Sequence, residues 1–308
     1  MIESLGVFLA SALRLATPLV LGATGEVVSE RAGVLNLSLE GMMLGAAFAA
    51  ALGAHGSGSP LLGVACGVLA ALVIAAGQAW LSVRAGANQL VVGIGINLLA
   101  LGATTFAYRQ IFGGLSREVI PSFEAWSVPG LASLPLVGPA LFQQTPLVYV
   151  AFALVAFSAW LVNDTAFGLA LRAAGENPRA ADQAGVPVAR VRVLCVLYTG
   201  ACAGLAGAFL SVSSISTFTE GMTNGAGYLA VTAVILGAWR TSRVMLACLA
   251  FGAATALQFA LPALGVALPT ALLLMLPYLL ALAAVSGVVG RSRPPAALSL
   301  PFRRGSSR

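Results

Sequence analysis

Apolar runs of about 17 to 25 residues recur along nearly the whole of this 308-residue chain, each long enough to cross the hydrocarbon of a bilayer as a helix. Inside lipid every backbone N–H and C=O must find a partner within the protein, so only helices and closed barrels span. A barrel would show strands of about ten alternating residues, which this chain lacks. Charged residues make up 8% of it and mean hydropathy is +0.96, so the membrane character belongs to the chain as a whole. The expected fold is all-α: a polytopic helical membrane protein with about nine transmembrane or re-entrant helices.

The expected segments cover about residues 5–24, 37–54, 60–83, 88–112, 145–162, 191–212, 227–239, 244–261 and 268–290. The seventh is too short to span unaided and lies beside Gly-rich sequence, which suits a broken or re-entrant helix. Residues 1–290 form one transmembrane domain. Residues 291–308, basic and rich in Pro and Ser, are expected to be a disordered tail. The first 24 residues carry no basic leader or small-residue cleavage site, so no cleavable signal is expected.

Residues 163–192 are the one long polar interruption. They contain Arg172, Arg179, Arg190 and Arg192 with Asp164, Glu176 and Asp182. Within them Asn177 is placed to cap a helix, Pro178 fits its first position and Gly185 fits its close. A short capped helix in a basic loop is a docking element for a cytoplasmic partner. The chain has no lysine. If this loop is cytoplasmic, alternation puts Arg31, Arg84, Arg240, Arg243 and the tail's Arg291, Arg293, Arg303, Arg304 and Arg308 on the same side, with Arg109 and Arg117 opposite. That asymmetry accounts for the formal charge of +6 without a nucleic-acid partner.

The outer loop of about residues 113–144 holds prolines with Phe123 and Trp126, and fits either an ordered cap on the membrane or an interfacial linker. His55 is expected at the surface. Cys66, Cys195, Cys202 and Cys248 lie in expected spans without metal-ligand spacing and read as buried free thiols. No catalytic residues, metal site or cofactor are expected, because there is no phosphate-binding loop, no His/Cys/carboxylate cluster and no nucleophile beside a base. Energy must come from an ion gradient or a separate subunit.

Ionisable residues concentrate in the first forty positions: Arg14, Glu26, Glu30, Arg31 and Glu40. Around them, residues 24–43 suggest irregular backbone between Gly25 and Gly33, with a helix starting near Asn36. The segment fits a re-entrant element, an inner loop, a structural polar knot in which Glu30 and Arg31 find partners, or a proton relay.

Four stretches resemble the permease subunits of ABC importers in the branched-chain amino acid, ribose and nucleoside group. They are GEVVSERAGVLNLSLEGMMLGAAFAA, GANQLVVGIGINLLALG, LRAAGENPRAADQAGVPVARVRVL with TGACAGLAGAFLSVS, and FTEGMTNGAGYLAVTAVILGAW. Together they extend over about residues 14 to 290, and the ERAGVLNLSLEG form is most like the nucleoside type. The resemblance implies two permeases forming the pathway, the second a different chain in this type, two cytoplasmic ATPases, and an external solute-binding protein or lipoprotein. It implies that Glu176, Asn177, Pro178, Arg179, Ala181 and Asp182 fit a groove on the ATPase. It also implies a cell-membrane location with a cytoplasmic C-terminus. The chain lacks a further N-terminal span of longer relatives, which would put its N-terminus outside.

A nucleoside asks for hydrogen-bonding side chains more than fixed charge, so Asn36, Glu40, Asn88, Gln89, Asn97, Ser211, Ser213, Thr232 and Gln258 are candidates to line the pathway. Interhelical hydrogen bonding is the alternative for each, and close helix packing accounts for Gly200, Gly204 and Gly207. Simple sugars or branched-chain amino acids are alternative solutes. A gradient-driven carrier is the alternative of another class.

Overall fold

The computed structural model describes residues 2–113, 119–127, 129–132, 137–263, 265, 269–283, 286 and 293–302, with only the backbone course for 2–4, 137, 263, 270 and 271. Among these residues the first half holds α1 (Ile2–Arg31), α2 (Leu39–Ser57), α3 (Pro60–Ala79), α4 (Gln89–Phe112), α5 (Val137–Leu141) and α6 (Pro146–Asp164). The second half holds α7 (Ala166–Glu176), α8 (Pro178–Gln183), α9 (Val188–Phe209), α10 (Ala226–Leu236), α11 (Thr241–Ala263) and α12 (Thr270–Ala283). Wide π-helical turns, Trp80–Arg84 and Leu210–Ile215, extend α3 and α9. The all-α expectation is modified only by two short strands, β1 (Trp126–Ser127) and β2 (Gln143–Gln144), paired antiparallel.

Among the described residues six stretches are long and apolar enough to cross a membrane: Leu5–Arg31, Pro60–Arg84, Gln89–Phe112, Pro146–Asp164, Val188–Ile215 and Thr241–Pro262. The expected count of about nine is not reached on that criterion. The differences lie in α2, which carries Glu40 in its first turn and His55 in its last, and in α10 and α12, which have 11 and 14 residues. At about 1.5 Å per residue α10 is about 16 Å long, half the hydrocarbon thickness.

The bundle is centred on α9, packed against α1, α2 and α3, with α11 lying along α1. Small residues permit this. A Cβ on Gly204 would stand 2.6 Å from the Val68 Cα, one on Gly200 would meet the Ala75 methyl, and one on Gly207 the Met43 carbonyl. With little hydrophobic drive between helices in lipid, close backbone contact supplies the attraction. Large apolar side chains sit on the outside instead, including Leu61, Leu69 and Val73 of α3 and Val91, Leu98 and Leu99 of α4. Cys66 shares that outer face of α3, so the expectation of four buried thiols is corrected: Cys195, Cys202 and Cys248 are buried, and Cys66 is exposed.

Two further expectations change. Helix α1 runs unbroken through residues 24–31, where irregular backbone was expected. Gly25 lets the helix approach Thr199 and Cys202 of α9 rather than breaking it: its Cβ would lie 2.9 Å from the Thr199 Cα. The chain turns later, at 32–38, with Gly33 at φ 89°, and α2 starts at Leu39. The tail, expected to be disordered, is ordered over 293–302. Ala297 is buried and its N–H donates to the Gly175 carbonyl at 2.8 Å, while the Ser299 N–H reaches the Gly33 carbonyl at 3.2 Å.

The outer loop behaves as a cap over its described part. Ile120 is buried, its N–H bonds the Ser216 carbonyl at 3.0 Å, and the Phe123 N–H bonds the Val212 carbonyl at 2.9 Å. His55 is exposed, as expected, with its ring against Phe112. Arg109, at the same end, pairs with Glu220 at 2.8 Å, while Arg117 and Arg291 lie outside the described residues.

Candidate functional site

Two regions could serve transport: a surface at the end of the bundle where α1 closes, and a polar layer between α2, α4 and α10. At the first, Thr165 caps α7 by accepting the Gly168 N–H at 2.9 Å, and Asn177 caps α8 by accepting the Ala180 N–H at 3.1 Å. Pro178 occupies the first position of α8, and Gly185 follows its end at φ 88°. Asn177, Pro178 and Gly185 thus play the local parts their identities suggest. The helix α7 itself was not foreseen, because Gly168, Arg172 and Gly175 made residues 166–176 read as loop. Between α7 and α8 lies a shallow groove of about 480 Å³, walled by Leu169, Ala170, Ala173, Ala180, Ala181 and Val186, with Glu176 and Asn177 at its edge. Glu176, Asn177 and Arg179 are exposed, Pro178 and Asp182 half-buried, and Ala181 buried.

At the same end of the bundle Arg192 is 2% exposed and pairs with no carboxylate among the described residues. Its guanidinium donates to three backbone carbonyls: Ala32 at 3.0 Å, Ala174 at 3.3 Å and Leu300 at 2.9 Å. Five donors in a planar fork suit this task, and one side chain thereby joins the end of α1, the end of α7 and the tail. Glu176 adds a long contact, accepting the Ala296 N–H at 3.4 Å.

The polar layer gathers four of the expected pathway residues, and each of them makes hydrogen bonds within the chain. Asn36 donates its N–H to Glu26 Oε1 at 2.8 Å and accepts the Ser38 hydroxyl at 2.5 Å. Gln89 Oε1 accepts the Leu35 N–H at 2.8 Å. Asn97 accepts the Gly41 N–H at 2.8 Å through Oδ1 and donates through Nδ2 to the Leu37 carbonyl and the Tyr228 hydroxyl, both at 2.8 Å. Glu40 accepts three bonds, from Thr223 Oγ1 at 2.7 Å, the Gly225 N–H at 2.8 Å and the Gly227 N–H at 2.7 Å.

The Glu40 contacts explain the half-length helix. A carboxylate at the N-terminus of α10 satisfies donors that have no partner within the helix and opposes the positive end of its dipole. Gly225 turns the chain there at φ 80°, where a side chain would be strained. The other end of α10 is held from α1: Trp239 donates its indole N–H to Glu30 Oε2 at 2.5 Å and accepts the Arg31 Nε–H on its carbonyl at 2.9 Å. Ala238 and Trp239 both adopt left-handed backbone, at φ 52° and 57°, a cost of about 1 kcal/mol or more each that these contacts offset. Glu30 and Arg31 are therefore joined through Trp239 rather than to each other. The acidic segment of the first forty residues is a clamp on both ends of α10, closest to the structural knot among the four readings.

The remaining candidates are scattered. Asn88, exposed, caps α4 by accepting the Leu90 N–H at 2.9 Å. Ser213 donates to Thr145 Oγ1 at 2.6 Å, and Ser211 is wholly buried. Thr232 donates to the Tyr228 carbonyl at 2.9 Å, and Gln258 lies half-buried on α11. Sequence reasoning missed Tyr228, Trp239 and Arg192. The apolar surroundings of the two aromatic residues hid their polar tips, and Arg192 resembled the other loop arginines.

The family described as "Branched-chain amino acid transport system / permease component" matches residues 8–285. The chain is 33% identical to the guanosine ABC transporter permease protein NupQ of Bacillus subtilis, over 99% of this chain and 98% of that one. It is 31% identical to the nucleoside ABC transporter permease protein NupC of Lactococcus lactis, over 96% of each. It is 39% identical to the putative glucose ABC transporter permease protein TsgC13 of Haloferax volcanii, over 82% of this chain and 77% of that one. The similarity to transport permeases thus runs over nearly the full length of the chain, and the chain belongs to the family of permease components of branched-chain amino acid transport systems.

Proposed function

We propose that this chain is the permease subunit through which nucleosides cross the cell membrane, driven by a separate cytoplasmic ATPase. The observation that carries the reading is the similarity, along practically all of both chains, to two permeases named for guanosine and nucleoside transport. A second reading, a simple sugar as solute, is favoured by the similarity to a permease named for glucose. In either case the chain works beside a second permease, a different chain in the nucleoside reading, and receives solute from an external binding protein or lipoprotein.

The groove between α7 and α8 is the seat for the ATPase, with Glu176, Asn177, Pro178, Arg179, Ala181 and Asp182 as the contact element. Its small apolar walls and polar edge suit a partner that inserts side chains, and its local caps let it pass on a rigid push. This end of the bundle, and with it residues 293–302, would then face the cytoplasm, in keeping with the arginine bias.

Co-purification tests the reading. Glu176→Lys reverses an edge charge and Pro178→Gly loosens a pre-set helix start. Both variants should insert normally, and ATPase association and solute-stimulated ATP hydrolysis should fall together. Full association and full uptake in both variants would reduce the segment to a topological linker. Uptake by vesicles holding this chain alone, driven by a proton or sodium gradient, would favour the carrier of another class.

A further inference from the structure

We propose that the exposed edge of α10, formed by Asn224, Tyr228 and Thr232, is the wall of the pathway that hydrogen-bonds the solute, with the Tyr228 hydroxyl as its donor. The ligand class is a polyhydroxylated solute bearing acceptor oxygens. The inference rests on the transport reading above and deepens it.

Exposure comes first. On α10, Gly227, Leu229, Ala230, Val231, Ala233 and Val234 are buried. Tyr228 is 46% exposed, Thr232 one turn later is half-exposed, and Asn224 is exposed in the turn that leads into the helix. The open side of α10 is therefore polar over its first two turns, giving way to the part-exposed Ile235 and Leu236 at its far end, whereas the open sides of α3 and α4 carry leucine, isoleucine and valine along their length.

Depth comes second. Tyr228 is bonded to Asn97, the ninth residue of α4, whose helix has 24 residues. At about 1.5 Å per residue, the contact lies about 12 Å from one end of α4 and about 22 Å from the other. It therefore sits well inside the hydrocarbon layer. A polar edge at that depth, next to the non-helical stretch before α10, is stable only against protein or a water-filled path, not against lipid.

The third observation is a count of hydrogens. The Gly41 N–H needs an acceptor and the Leu37 carbonyl needs a donor, which fixes the orientation of the Asn97 amide. Its Nδ2 has no lone pair to offer, so in the contact with Tyr228 the amide donates and the phenol oxygen accepts. Among the described residues no group accepts the phenolic hydrogen, which is left on the exposed side. Tyr278, 47% exposed on α12, differs, because its hydroxyl donates to the Asn224 carbonyl at 3.1 Å. Asn97 is thus a positioning residue, buried and fully used, that aims a free donor held on a rigid clamped helix. A ribose hydroxyl, a base carbonyl or a sugar hydroxyl would each accept from it. Losing such a bond corresponds to about a tenfold change in apparent affinity.

The test uses the assembled complex with its ATPase and second permease, in vesicles, with guanosine and glucose as separate probes. Wild-type uptake of guanosine or of glucose decides the solute class by itself, and the variant is then read with whichever solute is carried. Tyr228→Phe should still co-purify with the ATPase and the second permease and should raise the solute concentration for half-maximal uptake about tenfold. An unchanged half-maximal concentration overturns the inference. A loss of the second permease on co-purification also overturns it, since the edge would then be a contact between permeases. As a variant-independent check, Tyr228→Cys in a Cys66→Ala background should react with an impermeant thiol reagent, and the carried solute should slow the reaction. A residue that never reacts would put the edge out of the aqueous path.

Discussion

The two short helices α8 and α10 begin in opposite ways. Helix α8 carries its own start: Asn177 and Pro178 are adjacent to the turn they stabilise. The start of α10 is completed by Glu40, more than 180 positions earlier in the chain, and its far end by Glu30 and Arg31 through Trp239. A locally capped helix stays formed when its neighbours move, which suits a part that must travel with a partner. A helix capped from afar exists only while the bundle holds its shape, which suits a fixed wall.

The sharpest way to break this comparison is to remove the distant cap. Glu40→Ala leaves two backbone N–H groups and the Thr223 hydroxyl without their acceptor, an expected loss of about 3 kcal/mol. Thermal stability in detergent should fall clearly, and hydrogen exchange should rise across residues 223–229. A wild-type melting curve would mean that α10 does not depend on Glu40. Gly227→Ala comes next. Alanine favours a helix over glycine by about 1 kcal/mol, but its Cβ would stand 2.5 Å from the Glu40 nitrogen, and such overpacking costs about 1–3 kcal/mol. A net loss of stability is expected, and a gain would show that α2 and α10 can separate freely.

Asn177→Ala should cost about 1 kcal/mol, and only locally. Exchange should quicken over residues 178–183 while the global melting temperature holds. If that temperature fell as far as in the Glu40 variant, the distinction between the two helices would disappear.

The smallest effect belongs to the exposed Arg109–Glu220 pair, which bridges α4 to the turn before α10. The hydrogen bond from Arg109 holds the Glu220 carboxyl below its ordinary value of 4.5. A carboxyl lowered in the folded state contributes above its unfolded pKa and loses that contribution as pH falls through the folded one. Glu220→Gln should therefore differ slightly from wild type at pH 7, and the gap should close below about pH 4.5 and in high salt. Melting curves at both pH values test it.

What the sequence disclosed follows the same division. The apolar runs located the helices, and Asn177, Pro178 and Gly185 marked α8, because those signals act over a few neighbouring residues. Gly200, Gly204 and Gly207 correctly pointed to close packing. Glu40, Asn97 and Gln89 were visible as polar residues in apolar surroundings, but their partners were not, since their bonds to residues 223–228, 37–41 and 35 span distances in sequence that no local pattern encodes. Tyr228 and Thr232 stand one turn apart and could have been noticed by that spacing alone. The order in residues 293–302 was hidden for the same reason: a basic, proline-rich composition gives no hint of a buried guanidinium elsewhere that needs a carbonyl.

The Arg192 contacts also bear on how the molecule is made. Residue 192 is synthesised more than a hundred residues before Leu300, so its guanidinium waits with one acceptor missing while the last spans are inserted. Insertion into the membrane and completion of this end are then separate events in biogenesis, the second possible only after the ribosome has passed residue 300. A chain halted or cleaved before that point would carry the six long apolar helices of the described residues yet leave the Arg192 guanidinium one acceptor short at this end.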